Sequence, residues 1–281
     1  MAEPGAALDR TMQWRGRVVA WASYGHGPAL VFCHGTPWSA RLWADYARAL
    51  SAEFTVYLWD MPGYGASSKD PAHPVDLGVQ GKLFGELLRH WRLDRPHVVA
   101  HDYGGAVALR AHLLHGAGYA SLALVDAVAL RPWGSDFFRL VKANADTFTA
   151  QPPVVHRGAL EAYILGASHR GLTAEQLAAL TGPWLTAEGQ AAFYRQIAQA
   201  DERFTDEFHD LLATISLPTH IIWGAADTWI PVDRAHRLAS LIPGATVEII
   251  EAAGHLIQYD APVELATALH RWLAERARQD S

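Results

Sequence analysis

The sequence predicts an α/β fold: a mostly parallel central sheet flanked by helices, with a helical cap inserted into it. Two observations carry this. Short continuous apolar runs alternate with helix-period segments, the pattern of a parallel sheet covered on both faces. That rhythm then breaks between about 131 and 212, where helical patterns follow one another with no convincing strand. The elements read in order as strands at 17–22 and 29–33, a helix at 39–50, a strand at 55–59 and a helix at 77–91. A strand at 98–100, a helix at 105–115 and a strand at 121–125 follow. Helices at 136–145, 159–167, 173–180 and 186–199 form the cap, placed after the strand at 121–125, and strands return at 220–223 and 246–250. Residues 1–130 and 213–281 are thus expected to build the core domain and 131–212 the helical cap domain.

Half of the 281 residues are apolar, enough for one large core plus an inserted subdomain. A net charge of −6 and the lack of a Lys/Arg-rich run argue against a nucleic-acid partner. The first ten residues have neither a basic n-region nor an apolar h-region, so no secretory signal is expected. No apolar stretch is long enough to span a bilayer, and a cytoplasmic protein is the expectation. The single cysteine, Cys33, excludes an internal disulfide framework and sits in an apolar run, where an inert buried thiol is expected. Fifteen histidines are scattered without metal-ligand spacing, so no metal or cofactor is expected. Eleven tryptophans suit core packing, and some suit an apolar pocket.

Asp102 is the most informative residue. In Val98-Val99-Ala100-His101-Asp102-Tyr103-Gly104-Gly105-Ala106 an apolar strand meets a small-residue turn that opens a helix. This is the layout of a nucleophile elbow, which exposes one side chain above a parallel sheet. Serine is the usual occupant. A carboxylate instead suits displacement at a saturated carbon, with an ester as the intermediate. Attack on a substrate carbonyl would give an anhydride, so C–O or C–halogen cleavage is favoured over esterase or peptidase chemistry.

Three further segments converge on the elbow. The turn after the strand at 29–33, His34-Gly35-Thr36-Pro37, can aim the Thr36 N–H at the site, and with the Tyr103 N–H it would form an oxyanion hole. Asp227, in Gly224-Ala225-Ala226-Asp227, lies just past a strand, and His255 lies just past the next. Asp126 is the rival acid at the end of the strand at 121–125, and Asp227 has a competing reading as a helix cap near Pro231. Asp60, in Asp60-Met61-Pro62-Gly63, reads as structural.

Together these landmarks resemble the α/β-hydrolase superfamily over almost the whole chain. The His-Asp-x-Gly-Gly elbow is similar to its Asp-nucleophile branch, the epoxide hydrolases and the haloalkane or haloacetate dehalogenases. The resemblance implies Asp102 as nucleophile, His255 as base and Asp227 as orienting acid. Ala192-Phe193-Tyr194-Arg195-Gln196 looks like the family's cap-tyrosine segment, implying Tyr194 as donor to an epoxide oxygen, with Tyr163 as a candidate partner. Trp38, Trp133 and Trp184 are candidate pocket walls. Haloalkane dehalogenases usually carry Trp where this chain has Tyr103, and many carry Asn where it has Thr36; haloacetate dehalogenases follow the nucleophile with Arg, which is missing. The expectation is therefore an epoxide hydrolase acting on a small apolar substrate with water. A dehalogenase is the alternative, and a non-catalytic ligand-binding protein the second. A homodimer is left open.

Overall fold

The computed structural model describes residues 8–279. Of the N-terminal segment in which no secretory signal is expected, residues 1–7 lie outside the described residues. Eight strands form one sheet in the order β1-β2-β4-β3-β5-β6-β7-β8. They are β1 (Arg10–Trp14), β2 (Arg17–Gly25), β3 (Ala29–Cys33), β4 (Thr55–Trp59), β5 (His97–His101), β6 (Ser121–Val125), β7 (Thr219–Gly224) and β8 (Thr246–Ile250). The hairpin β1–β2 and the pair β2–β4 are antiparallel, and every other pairing is parallel. The predicted fold class is the observed one. Strand β1 escaped the sequence reading because it is an edge strand, mostly exposed, in which only Trp14 is fully buried.

The helices that cover the sheet are α1 (Ala44–Leu50), α2 (Leu77–His90) and α3 (Tyr103–His115). Between β6 and β7 run α4 (Asp136–Ala143), α5 (Ala145–Thr149), α6 (Pro153–Leu165), α7 (Ala174–Thr181), α8 (Ala187–Ala198) and α9 (Arg203–His209). The chain closes with α10 (Asp233–Leu241), α11 (Ile257–Asp260) and α12 (Pro262–Gln279). The helix expected at 39–50 begins as a 3-10 turn, Ala40–Trp43, before α1 takes over. Helix α6 begins at Pro153 rather than 159, its first turn being mostly exposed and so without an apolar face to read.

The period of two along the strands sorts side chains to the two faces of the sheet. Val31, Cys33, Val98, Ala100, Leu122 and Leu124 point into one core, shared with Phe84 and Leu87 of α2 and Val107 of α3. Leu30, Phe32, Val99, Ala123 and Val125 point into the other, shared with Trp43, Ala47 of α1 and Leu265, Leu269 of α12. Burying each large side chain contributes roughly 1.5–3 kcal/mol, which makes the sheet the rigid base of the molecule. In the inserted segment the helix starts are fixed locally. Ser135, Thr173 and Thr186 accept hydrogen bonds from backbone N–H groups in the first turns of α4, α7 and α8.

The topology also fixes where a site forms. After β3 the chain goes to β4 on one side and then to β5 on the other. At such a switch point the loops beyond the carboxyl ends of the strands part and leave a crevice. Cys33 pairs with Ala100, so the turn after β3 lies beside the turn after β5.

Candidate active site

Asp102 stands at the turn between β5 and α3 with φ 51° and ψ −121°. A positive φ in a residue with a Cβ is strained, at a cost of order 1–3 kcal/mol, and persists because the surroundings determine it. Here the Asp102 N–H donates to Val125 O, and Asp102 O accepts from Gly105 and Val128. Glycines permit the close approach. A Cβ on Gly35 would overlap the Asp102 side chain, and one on Gly104 would lie 2.6 Å from the carbonyl oxygens of Cys33 and His34. His34 anchors the facing turn, with Nδ1 donating to Gly35 O and Nε2 accepting from the Met61 N–H. Asp60 is structural as expected, accepting from the N–H groups of Ala40 and Ala66.

The Thr36 N–H donates to Asp102 Oδ1 at 2.6 Å. Tyr103 opens α3, so its N–H belongs to the first-turn donors that the helix itself cannot use. The other carboxylate oxygen, Oδ2, lies 3.3 Å from His255 Nε2. That contact is off the hydrogen-bond line, and Nε2 has no hydrogen-bond partner. On its far side, His255 Nδ1 donates to Asp227 Oδ2 at 2.8 Å. Asp227 Oδ1 accepts from the N–H groups of Trp229 and Ile230. Asp227 caps no helix, since α10 starts only at Asp233. The expected Asp102, His255 and Asp227 therefore form one contiguous chain of contacts, all three buried.

Their charges are interdependent. Burial opposes a charge on His255, but Asp227 and Asp102 on either side outweigh it and hold its pKa well above the ordinary value. Burial would likewise raise Asp102, yet His255 and the Thr36 N–H keep it below its ordinary value. His101 Nε2 donates to the His255 carbonyl, and its ring lies 4.9 Å from the His255 ring. Burial, with His255 beside it, pushes His101 down to about 3, so it adds no competing charge. Cys33 is buried, which pushes its thiol well up and leaves it inert.

Asp126 is close by but differently used. Its Oδ1 accepts from the Gly224 N–H at 2.8 Å, and Oδ2 has no partner. Burial and the neighbouring Asp227 raise it well above the usual carboxylate range, so it holds its proton. Asp227→Asn is therefore expected to cut turnover by about 10³–10⁴-fold, through loss of orientation and of charge opposite the imidazolium. Asp126→Asn, which exchanges one neutral group for another, should stay within a few-fold of wild type. The native state keeps the Asp126 proton to a higher pH than the unfolded chain does, so this group makes stability fall as pH rises above about 4. Thermal unfolding of Asp126→Asn should accordingly gain on wild type between pH 5 and pH 8. The reverse ranking of the two variants would transfer the orienting role to Asp126.

A small hollow of about 30 Å³ opens on Asp102, walled by Thr36, Tyr103, Trp133, Phe138, Tyr163 and Trp229. It has room for roughly two waters in this shape. None of its lining residues is basic. Trp133 and Tyr163 are where the sequence expected them, although the Trp133 indole N–H is already bonded to Thr205 Oγ1. The Tyr103 hydroxyl is buried without a partner. Tyr194 is not among the walls. It points into the inserted segment, where its O–H donates to His156 Nδ1 at 2.9 Å, a direction fixed because His156 Nε2 donates to Trp184 O. Trp184 is also elsewhere, its indole N–H bonded to Pro37 O. Trp38 stacks on Trp229 behind the wall, 5.9 Å away. Sequence reasoning missed Phe138 and Trp229, although Trp229 lies two residues past Asp227. Among the described residues no cluster of three His, Cys, Asp or Glu is arranged to hold a metal ion.

The profile of the α/β hydrolase fold family matches residues 28–262. The chain belongs to the α/β-hydrolase family. A crystal structure of an α/β-hydrolase fold protein from Burkholderia ambifaria is 42% identical, with TM-score 0.90, and the match covers 93% of this chain and 97% of that one. Haloalkane dehalogenase 2 of Mycobacterium tuberculosis is 25% identical over 264 residues, 91% of each chain. An epoxide hydrolase, CorEH, shares the fold at TM-score 0.81 and 19% identity, over 95% of this chain and 98% of that one. No helix among the described residues of this α/β-hydrolase is long and apolar enough to cross a membrane.

Proposed function

We propose that this hydrolase opens small, uncharged epoxides to diols through an ester of Asp102, with the inserted helices acting as a cap over the reaction. The observation that carries this reading is the disposition of the two Asp102 oxygens. Oδ1 is held by the Thr36 N–H, leaving Oδ2 as the attacking atom. Oδ2 attacks a saturated ring carbon and the C–O bond to the epoxide oxygen breaks. The resulting alkoxide takes a proton from a phenol. His255 Nε2 then draws a proton from water, whose oxygen bonds to Asp102 Cγ. The N–H groups of Thr36 and Tyr103 stabilise charge on Oδ1, and collapse breaks the Cγ–Oδ2 bond as the His255 proton passes to Oδ2, which releases the diol and leaves the new Asp102 carboxyl to return its proton to His255. Alkylation also removes the Asp102 charge, one of the two that keep His255 protonated, so in the ester His255 gives up its proton, which restores the phenol, and becomes a base.

The phenol assigned to the epoxide oxygen is Tyr163 in place of Tyr194, with the unpartnered Tyr103 hydroxyl as its companion. Burial raises Tyr163 well above its ordinary value, so it retains a proton to donate. Tyr163→Phe should slow ester formation by about 100-fold and leave ester hydrolysis nearly unchanged. Tyr194→Phe should lower thermal stability through the lost His156 bond and leave ester formation within a few-fold. The opposite ranking of the two would return the role to Tyr194.

A second reading, haloalkane dehalogenation, is favoured by the relationship to haloalkane dehalogenase 2 over nearly the whole chain. The same Asp102 attack would then release halide toward the Tyr103 and Tyr163 hydroxyls. Parallel assays of diol formation and halide release on two- to four-carbon epoxides and haloalkanes decide between them. Steady halide release with no diol from any epoxide would sink the first reading. A haloacid substrate is disfavoured because no basic residue lines the hollow.

A further inference from the structure

One side chain packs on His255, Tyr163 and Trp38 and has no role in the mechanism above. The Trp229 indole lies nearly parallel to the His255 ring, centroids 4.9 Å apart at 29°. It also stacks on Tyr163 at 4.3 Å and 21°, and on Trp38 at 5.9 Å and 11°. Its backbone N–H is one of the two that hold Asp227 Oδ1. It lines the hollow above Asp102. The short link from Asp227 to Ile230 thus fixes the backbone, and Trp38 behind the indole fixes its plane.

We propose that Trp229 is a positioning residue for His255 whose π-face stabilises the imidazolium at the ester-hydrolysis step. This rests on the Asp102-ester reading. The reason lies in what surrounds His255 at that moment. Four titratable groups face it: Asp102 at 3.3 Å, Asp227 at 2.8 Å, the His101 ring at 4.9 Å, and Asp126 within its electrostatic reach. In the ester Asp102 is neutral, His101 is neutral, and Asp126 holds its proton. As the water proton moves to Nε2 and the water oxygen bonds to Cγ, Asp227 is the one ionised side chain facing the new positive charge, since the charge that develops on Oδ1 is taken up by the Thr36 and Tyr103 N–H groups. An indole stacked on the imidazolium in a water-poor site adds attraction from its electron-rich face. The stack also restricts ring rotation about the Asp227 bond, keeping Nε2 turned toward Cγ.

The test separates this proposal from the ester reading by using a readout that needs no substrate. Asp102→Asn places a neutral group where the ester would be. In that background, the His255 protonation constant is measured by ring-nitrogen NMR with Trp, Phe or Leu at position 229. Leu should weaken proton binding by about 3- to 10-fold, and Phe should retain most of it. Site-specific 5-fluorotryptophan and 5,7-difluorotryptophan at position 229 keep the shape and weaken the π-face, so they guard against a misfolded Leu variant. Proton binding should fall stepwise along that series. An unchanged protonation constant across the fluorinated series overturns the proposal. In the otherwise native enzyme, the fluorinated series should slow decay of the Asp102 ester more than it slows ester formation. An enzyme that forms no ester at all, with the NMR series intact, would instead refute the Asp102 mechanism and leave the stacking effect standing.

Discussion

Asp102→Ala is expected to lower turnover by about 10⁴-fold or more, with the fold retained. The side chain makes few contacts that the fold needs: one hydrogen bond from Thr36 and an ion-pair contact with His255, both within the site. The turn is held by backbone bonds to Val125, Gly105 and Val128, which the substitution leaves in place. The covalent route makes a further demand. Because hydroxide adds to Cγ and the alcohol leaves with the former Oδ2, one turnover in heavy-oxygen water should label the Asp102 carboxylate and leave the newly formed product hydroxyl unlabelled. Peptide mass spectrometry after a single turnover reads this directly. Label found only in the product would mean that water attacks the substrate itself, with Asp102 as a base.

The site was legible in the sequence where the backbone alone places the residue. A strand end followed by a glycine-rich turn puts Asp102 above the sheet whatever the rest of the chain does, and the register of Cys33 on Ala100 then brings Thr36 to it. The same applies to Asp227 and His255, each just past adjacent strands that pair Gly224 with Ile250. Side chains on the inserted helices were not legible in this way. Tyr194 lies on α8, and which way it points depends on the rotation of α8 against its neighbours. A buried phenol needs a partner for its O–H, and His156 on α6 supplies one inside the insertion. Nothing local to either segment announces that pairing. Tyr163, two turns further along the same face of the same helix as His156, reaches the hollow, and both rings contact Phe193.

Asp126 shows a different limit. Both acids end strands that carry them to the same edge, so position could not choose between them. Chemistry does: Asp227 has two N–H donors and the imidazole, whereas Asp126 has one N–H donor and an unpartnered oxygen in a fully buried place. A buried carboxyl with one neutral donor keeps its proton, and a protonated acid orients no imidazolium. That distinction exists only after folding. The 3-10 start before α1 and the edge strand β1 were hidden for the simpler reason that short or exposed elements bury too few side chains to leave a period.

His255→Gln should divide the reaction in two. Ester formation needs an ionised Asp102 and a phenol for the leaving oxygen, and His255 neither attacks the substrate nor donates to that oxygen. The variant keeps a polar side chain near Asp227 but has no base for water. It is expected to react once with an epoxide and stop, with steady turnover reduced by about 10⁴-fold or more and intact mass raised by the mass of one epoxide. Without the His255 imidazolium, the buried Asp102 loses its main stabilising neighbour and its pKa rises, so the single alkylation should need a higher pH than in wild type. The adduct should therefore form slowly at pH 6 and faster as pH increases toward 9. A chloroalkane would leave a heavier or lighter adduct according to its alkyl group, with one equivalent of chloride released, which makes the same variant a discriminator of the leaving group. Absence of any adduct across that pH range, in a variant that unfolds like wild type, would place His255 in the first chemical step and require a different assignment of the attacking group.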